Sequence, residues 1–199
     1  MQSKTFIYLL RHGETEGGSR FNGSSDVPLS EYGLTQMWTA VQETTNWDRI
    51  ISSPLMRCAD FARALQQHYD IPLQFEPRIR EIHFGAWEGR SAEELMTDDA
   101  DALTRYWQDP TKFTPPQAEA LIDFETRVLS LWREIIAGSH DENILLIAHG
   151  GVIRVLLCHL LQRPLQRLLE IDVAHATLHG VCIERTPQGV QTSLLGAVI

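Results

Sequence analysis

The chain has three cysteines in 199 residues, Cys58, Cys158 and Cys182, and their wide spacing fits neither a zinc site nor a redox pair. A disulfide scaffold is thereby excluded, and three reduced core thiols in a cytoplasmic protein are expected. Positive charge is also scarce: 17 Lys and Arg stand against 26 Asp and Glu, a formal net charge of −9. A chain of that sign lacks the basic footprint that nucleic acid or anionic membrane requires, so neither is an expected partner. A small anion needs only a local positive pocket and stays admissible. No apolar run reaches the length of a membrane span; the richest stretch, residues 152–161, is interrupted by Arg154 and His159. The run at residues 6–10 is too short for a signal-peptide core and leads straight into Arg11 and His12. Low-complexity tracts, long charge runs and solenoid repeats are absent too.

What is present is a chain 43% hydrophobic, enough for one sizeable core, so residues 1–199 are expected to form a single domain. Residues 5–10 (TFIYLL) and 143–148 (NILLIA) are nearly continuous apolar runs, as in strands buried on both faces, and 49–52 (RIIS) is a shorter candidate. Each is followed by a helix-like segment. Ser53 and Pro54 read as N-cap and first residue of a helix reaching about Tyr69. A helix is expected around 34–43. Leu121, Phe124, Val128, Leu131 and Ile135 recur at helical spacing up to Gly138, and 152–161 is apolar nearly all round. The tail offers two strands joined at 186–189, with an antiparallel edge. Strands alternating with helices predict an α/β fold: three α/β/α layers around a mostly parallel sheet. The stretch of about 82–116, with aromatics and three prolines, reads as an inserted cap of short helices and loops over the carboxyl ends of the strands. Trp87, Tyr106, Trp107 and Phe113 either line a substrate cavity or form a small core under that cap.

Ligands of open α/β sheets bind beyond the carboxyl ends of the strands. Unusual residues stand there: Arg11-His12-Gly13 after the first strand, His149-Gly150-Gly151 after the 143–148 strand, and Arg57 in the first turn after RIIS. Glycine after each histidine lets a ligand approach backbone N–H groups, and a helix starting near Gly150 adds a favourable dipole. Arginine suits bidentate recognition of phosphate oxygens. The set is therefore a phosphate trap with an imidazole inside it. A neutral imidazole is a good nucleophile toward phosphorus when its other nitrogen is fixed by a carbonyl. The leaving alcohol needs a proton donor, and Glu81, within Arg78-Ile79-Arg80-Glu81, is the best placed; Glu14, Glu88 and Glu119 compete. His68, His83, His140, His159, His175 and His179 show no metal spacing and read as ordinary. No metal or other cofactor is expected.

These residues resemble the histidine phosphatase superfamily, the phosphoglycerate mutase-like proteins. Leu10-Arg11-His12-Gly13-Glu14-Thr15 resembles its signature. Arg20-Phe21-Asn22-Gly23, Ser52-Ser53-Pro54-Leu55-Met56-Arg57, the Glu81 to Gly89 stretch and Ala148-His149-Gly150-Gly151 follow in the same order. The resemblance implies that His12 is phosphorylated, that Arg11, Arg57 and His149 complete the phosphate pocket, that Glu81 donates the proton, and that no metal takes part. It departs at Gly18, where the family often has an asparagine touching the phosphate; Asn22 or Ser24 is left to supply that contact. Residues 115–124 are similar to a segment of α-ribazole-phosphate phosphatases. The implied activity is hydrolysis of a small phosphorylated metabolite, α-ribazole 5′-phosphate of cobalamin biosynthesis being the specific expectation. Phosphoglycerate mutase-type transfer, a broad sugar-phosphate phosphatase and a non-catalytic binding domain are the alternatives. The oligomeric state is left open, a homodimer included.

Overall fold

The computed structural model describes residues 3–44 and 46–195. Strand β1 (Ser3–Arg11) runs through the middle of a six-stranded sheet, with β2 (Arg49–Ser52), β3 (Leu73–Phe75), β4 (Asn143–Ala148), β5 (Leu178–Thr186) and β6 (Gly189–Leu195) in the order β3-β2-β4-β1-β5-β6. The β3-β2-β4-β1 part is parallel, while β5 pairs antiparallel with both β1 and β6. The expected apolar strands are the inner ones. Every residue of β4 after Asn143 is buried, because helices cover both faces of the sheet.

On one face Ile7, Leu9, Ile144 and Leu146 pack under helices α5 (Leu121–Gly138) and α6 (Gly150–Leu160). On the other, Leu10, Ile50, Leu145 and Ile147 meet helices α1 (Glu31–Val41) and α2 (Met56–Tyr69). The stripe Leu121, Phe124, Val128, Leu131 and Ile135 is the buried face of α5, as its spacing requires. A fully buried side chain such as Phe124 contributes on the order of 2 kcal/mol from burial alone.

Two helix starts differ from expectation. Helix α1 begins at Glu31, three residues early, because Ser30 caps it by accepting from the Gly33 N–H at 3.0 Å. Helix α2 begins at Met56 rather than Pro54, and Ser53 is not its cap. The Ser53 hydroxyl lies 2.7 Å from the His149 ring, and the free Met56 N–H is met instead by Asp26 Oδ1 at 2.6 Å.

The segment between β3 and α5 carries helices α3 (Ala92–Asp98) and α4 (Ala100–Gln108). Ser91 and Glu94 form a reciprocal capping box at the start of α3. The apolar side chains here make their own cluster: Trp87, Leu95, Leu103 and Tyr106 are buried, with Phe21, Phe84 and Phe113 against them. Trp87, Tyr106 and Phe113 therefore form a core under the cap, and Trp107, 47% exposed, lies outside it.

Candidate active site

Strand β1 delivers Arg11 and His12 to the carboxyl end of the sheet, and β4 delivers His149 beside them. Their backbones are tied directly, since the His12 N–H donates to the Ala148 carbonyl at 3.0 Å. The two rings stand edge to face, centroids 5.2 Å apart. Above them is a cavity of about 170 Å³. Arg11, His12, Asn22, Glu81 and Gly150 all reach its wall, as does Gly18, whose missing side chain leaves that part open.

His12 is held in one tautomer. Its Nδ1 lies 2.7 Å from the Gly13 carbonyl, which can only accept, so Nδ1 carries the proton and Nε2 keeps its lone pair. Burial, followed by the charges of Arg57 and Arg11, pushes the His12 pKa well below its usual value. The ring is neutral, as a nucleophile must be.

Arg57 and His149 lie one layer behind, fully buried and off the cavity wall. The Arg57 guanidinium donates to the carbonyls of Ser25 at 2.7 Å, Asn22 at 2.8 Å and Gly23 at 2.7 Å. Its Nε donates to His149 Nδ1 at 3.2 Å. His149 Nδ1 is then an acceptor, and Nε2–H donates to Ser53 Oγ at 2.7 Å. Burial and the Arg57 charge keep His149 neutral, its pKa well below the ordinary one. The buried Cys58 thiol, 3.7 Å from His149 Nε2, is pushed up to about 12 by burial and stays protonated.

Glu81 is the single carboxylate on the cavity wall among the described residues. It accepts from the N–H groups of Ile82 at 3.0 Å and Gly151 at 2.9 Å, so the start of α6 orients it. Its three competitors are engaged elsewhere. Glu14 pairs with Gln36, and Glu119 forms an ion pair with Arg127 at 2.7 Å. Glu88 binds the loop N–H groups of Gly23, Ser24 and Ser25. Ser24, the alternative to Asn22, hydrogen-bonds His83 at 2.8 Å and is turned away from the cavity wall.

Among the wall residues to which sequence reasoning gave no role are Arg154 and His175. Arg154 lies one helical turn beyond Gly150 on α6 and shares its face, a placement that helical spacing alone would have given. His175 sits in the turn before β5, not in a strand. It arrives because β5 runs antiparallel to β1, with the Ala176 N–H donating to the His12 carbonyl at 3.2 Å. No local motif announces it.

The pattern of the histidine phosphatase superfamily (branch 1) matches residues 7–195. The chain belongs to that superfamily. It is 31% identical over 171 residues to an adenosylcobalamin/alpha-ribazole phosphatase of Salmonella typhimurium, covering 84% of this chain and 85% of the relative. It is 34% identical over 170 residues to a glucosyl-3-phosphoglycerate phosphatase of Mycolicibacterium vanbaalenii, covering 79% and 75%. Among solved structures, YhfR of Bacillus stearothermophilus superposes with a TM-score of 0.85 at 29% identity, covering 98% of each chain. This histidine phosphatase is accordingly a phosphoric monoester hydrolase. Among its described residues no helix is long and apolar enough to cross a membrane, and no three His, Cys, Asp or Glu side chains gather to hold a metal ion.

Proposed function

We propose that this enzyme hydrolyses a small phosphorylated metabolite through a phosphohistidine on His12, with no metal. The observation that carries the reading is the His12 tautomer: Nδ1–H is fixed on the Gly13 carbonyl, so the Nε2 lone pair is the free one. In the first step that lone pair forms a bond to phosphorus while the bond from phosphorus to the leaving oxygen breaks. Glu81 gives the leaving oxygen its proton. In the second step water attacks phosphorus, the carboxylate of Glu81 takes the water's proton, and the bond to Nε2 breaks. Inorganic phosphate leaves and the histidine is restored. Charge on the equatorial oxygens is met by Arg11 and the Gly150 end of α6. The buried Arg57 charge and the His149 dipole act from the layer behind, and Asn22 supplies a polar wall contact.

The leaving group is the finer question. The names of two relatives nominate α-ribazole 5′-phosphate and glucosyl-3-phosphoglycerate. Three buried free thiols fit a reducing cytoplasmic setting. The test is phosphate release, with chelator present, from p-nitrophenyl phosphate, 3-phosphoglycerate, sugar phosphates and α-ribazole 5′-phosphate, beside the His12→Ala variant. Release that survives the chelator and vanishes in the variant is expected. Equal release by the variant would remove His12 from the mechanism, and retention of label in a phosphorylated product would mark mutase-type transfer.

A further inference from the structure

The cavity wall offers donors that the reaction above leaves unused. The Arg154 Nε donates to the Ile171 carbonyl at 2.8 Å, which fixes the plane of the guanidinium. Its two terminal nitrogens have no hydrogen-bond partner among the described residues. They are directed where Gly150 leaves a gap: a Cβ on Gly150 would stand 3.0 Å from Arg154 Nη1 and 3.3 Å from Arg11 Nε. That Arg11 Nε is itself buried with no partner. Two guanidinium groups thus converge on one point of the wall, and two cations held so close repel unless an anion lies between them.

His175 adds a neutral donor. An arginine can only donate, so the contact of 2.9 Å from Arg11 Nη2 makes His175 Nε2 the acceptor. The proton of the neutral ring is then on Nδ1, which has no partner among the described residues. The ring stands on the cavity wall, its centroid 5.5 Å from that of His12. Burial and the Arg11 charge lower the His175 pKa to about 4, so the ring is neutral at ordinary pH and the tautomer holds. In contrast, each nitrogen of the Arg57 guanidinium already donates to a loop carbonyl or to His149 Nδ1, and His149 Nε2–H donates to Ser53 Oγ. Arg11, Arg154 and His175 all stand on the cavity wall and keep donors without a partner among the described residues.

We propose that Arg154 and His175 bind the transferred phosphoryl group directly, as the third arginine and the third histidine of the pocket. The inference rests on the phosphohistidine reading for its chemistry, while phosphate binding itself can be measured without turnover. Arg154 presents a two-nitrogen fork to two of the three equatorial oxygens, and the Arg11 guanidinium and His175 Nδ1–H meet the third. These oxygens gather charge in the transition state, so both residues strengthen their hold as the reaction proceeds.

The test uses the full chain with Arg154→Met, Arg154→Lys, His175→Ala and His175→Gln, each checked for folding by its thermal midpoint. Inorganic phosphate affinity is read by calorimetry, and kcat/KM is read with p-nitrophenyl phosphate and with 3-phosphoglycerate. For Arg154→Met we expect phosphate affinity to fall about tenfold or more, and kcat/KM to fall about a hundredfold by the same factor on both substrates. Arg154→Lys, which keeps the charge without the fork, should lie between. His175→Gln sets a carbonyl where Nε2 stood and so keeps Arg11 clamped, but it loses the Nδ1 donor. It should lose nearly as much as His175→Ala. Unchanged phosphate affinity in Arg154→Met, with a loss confined to 3-phosphoglycerate, would overturn the proposal and make Arg154 a reader of a second anion. Full activity in His175→Gln would overturn the direct role of His175 and leave it a positioning residue for Arg11. If no phosphohistidine forms in the wild type, the mechanism fails, yet the phosphate-affinity arm still decides the two residues.

Discussion

Replacing Glu88 by glutamine tests how the loop beside the phosphate site is held. The Glu88 carboxylate accepts from the N–H groups of Gly23 at 3.2 Å, Ser24 at 3.0 Å, Ser25 at 3.1 Å and Phe84 at 2.8 Å, and from the Ser25 hydroxyl at 2.6 Å. On the opposite side Arg57 donates to the carbonyls of Asn22, Gly23 and Ser25. The loop backbone is clamped between an anion on its donors and a cation on its acceptors. Burial alone would raise the Glu88 pKa. The bonds from Ser25 Oγ and from the N–H groups of Phe84, Ser24 and Ser25 outweigh it and bring the carboxyl from 4.5 to about 2. A pKa lowered in the folded state contributes stability that is present above 4.5 and is lost as pH falls toward about 2. At about 1.4 kcal/mol per unit the shift corresponds to roughly 3 kcal/mol, and partial solvent screening reduces it to about 2 kcal/mol. In a chain of this length that lowers Tm by about 4–8 °C. Scanning calorimetry of wild type and Glu88→Gln at pH 7, and at steps from pH 5 downward, reads both parts of the argument. The gap in Tm should be full at pH 7 and should close as pH drops below 4.5. A gap that is absent at pH 7, or that does not change with pH, would refute the clamp.

Gly151→Ala places a Cβ 2.3 Å from Glu81 Oε1, so the carboxylate must move off the start of α6. Steady-state kinetics should show kcat falling about a hundredfold for alkyl phosphates, which need a protonated leaving group, and much less for p-nitrophenyl phosphate. Gly18→Asn introduces the residue type that the family resemblance implies at this position. Gly18 has φ +78° with open space around its missing Cβ, and asparagine tolerates that backbone region. The variant should keep its Tm within about 3 °C, a cost of about 1 kcal/mol or less, and should bind inorganic phosphate more tightly in competition assays. Trp87→Ala should cost about 3–5 kcal/mol by opening a cavity in the cap core. Trp107→Ala, at an exposed site, should stay within about 0.5 kcal/mol in denaturant titration.

The inner fold was legible because β1, β4 and α5 bury what their periodicity exposes to view: two continuous apolar runs and one helical stripe. The helix starts were not, because capping is decided by three-dimensional competition. Ser53 has the chemistry of a cap for α2, but His149 takes its hydroxyl, and Asp26 from a distant loop replaces it. The same distinction divides the site. His12, Arg11, His149 and Gly150 stand next to apolar strands whose ends can be located in the sequence. The layering of Arg57 and His149 behind the wall depends on three loop carbonyls that no motif specifies. Arg154 was within reach of helical spacing from Gly150. His175 was not, since the antiparallel return of β5 alone brings it beside His12.

The measurement that bears most directly on the central claim is a rapid-quench experiment with a phosphate-labelled substrate, followed by peptide mapping under alkaline conditions that preserve phosphohistidine. The account predicts label that appears on the His12 peptide within one turnover, is lost in acid, and is absent from His12→Ala. Phosphate released with no labelled protein at any quench time, or label on a peptide without His12, would contradict it.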